Sequence, residues 1–110
     1  MPRFITIEYG AAAAADRTSQ PARDAAHARD ADLRSEGAIM GIAGPPVQIR
    51  NPEGRGMETC EGAFLSSALP VAGFAIIEAA DLAEAIEKVS GVPCAVAHGV
   101  VEVWPLKETA

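Results

Sequence analysis

Arg3 to Tyr9 alternates apolar and polar positions with a period of two, which predicts a strand. Phe4, Thr6 and Glu8 share one of its faces and Ile5, Ile7 and Tyr9 the other. Gly10 ends it. The five alanines that follow, 11 to 15, are too short a run to hold a helix alone and are expected in a loop or a fraying turn. Thr18 and Ser19 are N-cap residues, Pro21 suits a first helical turn, and Gly37 stops the helix after Glu36. Its apolar face is Ala22, Ala26 and Leu33, interrupted by Arg29. So thin a stripe suits close approach to a sheet, or packing against a partner chain.

Ala38 to Ile42 reads as a second strand, broken by Gly44-Pro45-Pro46. Val47 to Arg50 and Met57 to Cys60 flank the turn-forming Asn51-Pro52-Glu53-Gly54-Arg55-Gly56 and read as a hairpin. Glu61 to Pro70 is irregular. Val71 to Glu78 is mostly apolar, the pattern of a central strand covered on both faces. Asp81 caps a second helix with Glu84 three residues on, and Leu82, Ile86 and Val89 form its expected core stripe, with Glu84 and Lys88 paired on the opposite side. Gly91 and Pro93 end it. Val100 to Trp104 is the last strand, and 105–110 read as a loose tail. The order β-α-β-β-β-α-β, with 47 to 60 as an inserted hairpin, predicts an α+β, ferredoxin-like split βαβ domain spanning residues 1–110.

Length and composition narrow this further. One domain is what 110 residues support, and 49% apolar with 22% charged residues excludes a disordered chain. No apolar run approaches the roughly 18 residues of a membrane span, and the opening residues lack the layout of a signal peptide, so a cytoplasmic protein is expected. Nine basic and 15 acidic residues give a net charge of −6. Nearly all of the excess falls in residues 61–110, where Lys88 and Lys107 face seven carboxylates. An acidic chain without a basic stripe is a poor partner for phosphates, so nucleic-acid binding is not expected.

Candidate chemistry is sparse. Ser66 and Ser67 have no nucleophile-elbow frame, and neither a phosphate-cradling loop nor a dinucleotide fingerprint occurs. Cys60 and Cys94 are packing residues on this reading, since Glu58 and Glu61 flank the first and apolar residues the second. With His27 and His98 they show no metal-ligand spacing, so neither metal nor cofactor is implied. His27 is the obvious candidate base, with Asp30 three residues on. On a helical wheel, however, it points roughly 120–140° from the Ala22/Ala26/Leu33 face, and Asp30 also falls away from the core. His98, beside Gly99 before the last strand, either caps the loop or lines a pocket.

Several segments, taken in order, resemble the YCII-related family, in the branch named for an Asp-Gly-Pro-Phe motif. They are Phe4-Ile5-Thr6-Ile7-Glu8-Tyr9, Leu33-Arg34-Ser35-Glu36-Gly37-Ala38, Gly44-Pro45-Pro46, Glu61-Gly62-Ala63-Phe64, Gly73-Phe74-Ala75-Ile76-Ile77-Glu78 with Asp81-Leu82-Ala83-Glu84-Ala85, and Val101-Glu102-Val103-Trp104-Pro105. The resemblance implies a ferredoxin-like fold that pairs into a dimeric α/β barrel, and no settled activity. Some relatives are fused to, or encoded beside, alternative sigma factors. The chain departs from the motif at Glu61 and Ala63, keeping Gly62 and Phe64, and Trp104 replaces an Arg. Relatives carry a His on the first helix and an Asp before a Pro after the second helix, a suspected dyad. Here Val92 precedes Pro93, and His27 sits about one residue out of register, so no His–acid dyad is expected. The motif loop suggests Glu61 and Phe64, with Gly44, Pro45 and His98, as candidate ligand-pocket residues. Three functions follow as alternatives: a homodimeric small-molecule-binding or accessory protein, favoured by the missing acid; a cofactor-free enzyme acting on a small organic molecule in the cleft between helix and sheet; and a protein partner in transcription regulation.

Overall fold

A computed structural model describes residues 1–108. Strands β1 (Arg3–Tyr9), β2 (Ile39–Ile42), β5 (Val71–Glu78) and β6 (Val100–Leu106) form one antiparallel sheet of order β2-β5-β1-β6, and β3 (Val47–Arg50) with β4 (Glu58–Glu61) forms a separate two-stranded ribbon. Helices α1 (Ala12–Asp16), α2 (Gln20–Ser35), α3 (Leu82–Val89) and α4 (Pro93–Val96) complete the chain. This mixed, antiparallel α+β arrangement is consistent with the ferredoxin-like fold expected, with the hairpin inserted between β2 and β5.

The long helix begins where the residues predict it. The Ser19 hydroxyl accepts from the Ala22 amide at 3.3 Å, Pro21 lies in the first turn, and Gly37 takes φ 100° just past the end. The core lies between α2, α3 and one face of the sheet: Phe4, Leu33, Ala75, Ile77, Ala79, Ala85, Val89 and Val92. One side of β1 is thus buried at Phe4 and Thr6, with Glu8 half-buried at its end, and the other side is buried only at Tyr9.

Four expectations are corrected. The alanine run is a short helix, α1, with Ala14 buried; tertiary packing supplies what the run lacks alone. On α3 the buried positions are Ala85 and Val89, whereas Leu82 and Ile86 are 44% and 53% exposed. The helix presses its smallest side chain to the sheet and turns Glu84 and Lys88 to half-buried flanks, where Lys88 donates to the Glu78 carbonyl at 3.0 Å. The tail does not start at 105, because Pro105 and Leu106 extend β6 opposite Phe4 and Arg3. Proline is tolerated there because β6 is an edge strand. Only 109 and 110 of that tail lie outside the described residues. Finally, β5 is central in the sheet but covered on one face: Phe74 and Ile76 remain 48% and 38% exposed. Pro93, read as a helix terminator, also opens the single turn of α4.

Candidate functional site

A cleft of about 490 Å³ opens between α2, α4 and the β2–β5 end of the sheet, and five ionisable residues line it: Glu8, His27, Asp30, Arg34 and Cys94. Each arrives there for a local reason. Glu8 is the last residue of β1 in the buried register of Phe4 and Thr6. The strand pairing slips immediately after it, so that Glu8 faces Gly73 while Tyr9 faces Val71. Gly73 makes the room: a Cβ there would lie 2.9 Å from Glu8 Oε2 and 2.6 Å from the Gly41 carbonyl oxygen. The fully buried Thr6 hydroxyl donates to Glu8 Oε1 at 3.5 Å. Asp30 and Arg34, one turn apart, stand on the flank of α2 beside its buried Ala26–Leu33 stripe, and His27 extends that flank.

The carboxyls interact through the cleft. Burial holds the Glu8 carboxyl above its ordinary range and the charge of Asp30 adds to this, while the Thr6 hydroxyl opposes it. Burial also raises Asp30, offset by the Arg34 and His27 charges. The Cys94 thiol is pushed up, first by burial and then by Glu8 and Asp30, so it is a protonated wall residue rather than a thiolate nucleophile. The guanidinium of Arg34 supplies a fixed positive fork at the same rim.

His27 is exposed, and among the described residues no ion pair or hydrogen bond joins it to a carboxylate. It nevertheless shares the cleft with Glu8 and with Asp30, which is half-buried and not turned away from the core as the wheel predicts. Val92, buried at 2%, also lines this cleft, which brings the two positions of the suspected dyad to one place without an acid at the second. The other candidates lie elsewhere. Gly44 and Phe64 line a larger apolar cleft of about 670 Å³ with Pro46, Leu65, Leu69, Val71 and Phe74. Pro45 is exposed in the turn before β3, and Glu61 ends β4 opposite Val47, also exposed. His98 is exposed at φ 61° between α4 and β6. Cys60 is exposed on the ribbon, not packed. Among the described residues no three His, Cys, Asp or Glu are grouped so as to hold a metal ion, and no helix is long and apolar enough to cross a membrane. Glu8 is the functional candidate that sequence reasoning passed over. Its signal is a carboxylate in the same register as Phe4 and Thr6.

An antiparallel sheet backed by helices on one face, with an ionisable cleft between helix and sheet, defines a small α+β domain consistent with the ferredoxin-like type. Within that class the chain belongs to the YCII-related family: the model of the YCII-related domain matches residues 1–110. Comparison with curated proteins gives no match.

Proposed function

We propose that this chain is a cytoplasmic, homodimeric protein of the Asp-Gly-Pro-Phe branch that binds a small organic molecule in the cleft between α2 and the sheet. The convergence of Glu8, Asp30, His27 and Arg34 on that cleft carries the reading. Two carboxyls beside a guanidinium and an imidazole match a ligand that offers both donors and acceptors, and Met40, Ile42 and Val92 supply an apolar wall. The second copy is supported by the bare face of the sheet. Phe74, Ile76 and Trp104 are exposed there, half-buried Ile5 and Ile7 share the face by register, and β5 has the composition of a doubly covered strand. Sheet-to-sheet pairing into a dimeric barrel would cover these residues.

A second reading, a cofactor-free enzyme, is favoured by one observation: Asp30 and Glu8 stand in the cleft that His27 and Val92 also line, so either carboxyl is placed to take the acid role absent at Val92. The role of a partner in transcription regulation rests on the resemblance alone.

A thermal-shift screen of small organic molecules against the full chain tests the binding site. A ligand at about 100 times its dissociation constant adds about 2.7 kcal/mol of stability. The expected result is a hit whose shift is lost in both Glu8→Gln and Arg34→Ala. Hits indifferent to both substitutions refute this cleft as the site. Sedimentation of the full chain tests the dimer, and a mass near the 11.4 kDa of one chain at micromolar concentration refutes it.

A further inference from the structure

We infer that the β3–β4 ribbon is a clasp that lies on the second copy of the homodimer, not on its own body; the inference rests on the dimer reading above. The ribbon is a sheet of its own, and every residue from 44 to 68 except Gln48 is exposed. Isolated two-stranded hairpins are at best marginally stable in water, so a well-formed ribbon implies a surface to lie on. The ribbon is also two-sided. Register puts Val47 and Ile49 with Thr59 and Glu61 on one face, and Gln48 and Arg50 with Cys60 and Glu58 on the other. Val47 and Ile49 are 57% and 67% exposed, the signature of a half-buried hairpin whose cover is missing.

The cover is large. The chain exposes 7508 Å², whereas a compact protein of 11.4 kDa exposes about 5,800 Å². The radius of gyration, 16.0 Å, exceeds the roughly 13 Å of a compact chain of this length. The surplus is about 1,700 Å² per chain, or about 3,400 Å² for two, which falls inside the roughly 2,000–5,000 Å² of permanent homodimers.

Position and charge select a second copy as the occupant. The ribbon departs at the rim of the bare sheet face, where the apolar cleft runs from Pro46 and Phe64 to Phe74, itself on that face. An arm leaving from the rim of a twofold interface projects past it onto the neighbouring copy, and symmetry returns the same contact. The ribbon, residues 47–61, carries Arg50 and Arg55 against Glu53, Glu58 and Glu61, a net charge of −1 against −6 for the whole chain. An arm carrying so little charge meets little repulsion from an identical acidic body.

The test compares the full chain with two variants: one with residues 48–60 replaced by a short Gly-Ser turn, and Ile49→Asp, which keeps the ribbon. Sedimentation over a dilution series reads the dimer dissociation constant, and circular dichroism checks that each variant keeps its helices. In parallel, a photo-crosslinking residue at position 49 is incorporated in a 1:1 mixture of light and heavy isotope-labelled chains. The expected results are a rise in the dissociation constant of at least about tenfold in both variants and mixed-isotope cross-links from position 49. Should the turn variant fail to fold, Ile49→Asp and the cross-links decide. A full chain that dimerises with an unchanged constant in Ile49→Asp, and only same-isotope cross-links, overturns the clasp and leaves the dimer standing. A monomeric full chain overturns both.

Discussion

Gly73→Ala tests whether the cleft is built around a missing side chain. The added Cβ would stand 2.6 Å from the Gly41 carbonyl oxygen and 2.9 Å from Glu8 Oε2, where contacts under 3.0 Å are essentially never found. The carboxyl can rotate aside, but the carbonyl belongs to β2, paired with β5, and must retreat by at least 0.4 Å, the difference between 3.0 and 2.6 Å. Beta2 is a four-residue edge strand, so it yields at its Gly41–Ile42 end without unravelling the sheet. Overpacking of this kind costs about 1–3 kcal/mol. At roughly 4–8 °C per kcal/mol for a domain near this size, the melting temperature falls by about 5–20 °C. Glu8 is pushed toward solvent at the same time, so the desolvation that raises its carboxyl diminishes and its titration, followed by carbon-detected NMR, moves back toward the ordinary value of 4.5. Gly41→Ala is the control: its Cβ meets nothing within 4 Å. Equal melting temperatures for the two variants, with an unmoved Glu8 titration, would refute the account of the cleft.

Two further outcomes follow from burial. Val89→Ala removes two methyl groups from a site 5% exposed and is expected to cost about 1.5–3 kcal/mol. Ile86→Ala, at a site 53% exposed, is expected to cost under about 1 kcal/mol, since Ala is also the better helix former; chemical denaturation of both variants checks the ranking, and a larger loss at Ile86 would reverse the reading of α3. Glu8→Gln probes pH dependence. Because burial raises the folded Glu8, the folded chain holds this proton where the unfolded chain, with an ordinary value of 4.5, has released it, so this group's contribution to stability falls as pH rises through that window. Glu8→Gln therefore gains on the parent as pH rises above the ordinary 4.5, by a modest amount since the carboxyl is half exposed; denaturation midpoints at an acidic and a neutral pH that show the variant losing ground on the parent as pH rises would contradict the assignment.

The elements were legible because their signals are local. Ser19, Pro21 and Gly37 bound α2, Asp81 caps α3 through the Glu84 amide at 2.8 Å, and the alternation around Phe4 marks β1. The core face of α3 was not legible. Hydropathy ranks Leu82 and Ile86 above Ala85, yet close approach to the sheet selects the small side chain, and the large ones are left outside. The cleft was half legible. The wheel places His27 well off the apolar face, but the tilt of α2 over the sheet decides whether a flank faces solvent or a cleft, and no pattern within the helix encodes that tilt. Glu8 needed knowledge of which strand face is buried, which Phe4 and Thr6 settle only once Leu33 and Ile77 are seen against them. The apolarity of β5 predicts a strand covered on both faces, whereas Phe74 and Ile76 are exposed in this chain.

The pairing of β1 with β5 and β6 has a consequence for how the chain is made. Residues 3–9 leave the ribosome well before their partners, residues 71–78 and 100–106. Until β5 has emerged, β1 offers two unpaired edges with Phe4, Ile5 and Ile7 along them, and closing the sheet requires loops of tens of residues. A strand left waiting in this way is open to pairing with other nascent chains. Chains cut short within β6 remain in that condition, since β1 then keeps one edge bare for as long as they persist. Slowed synthesis between α3 and β6 should accordingly yield aggregates in which β1 is protected, while β6 has yet to take its place.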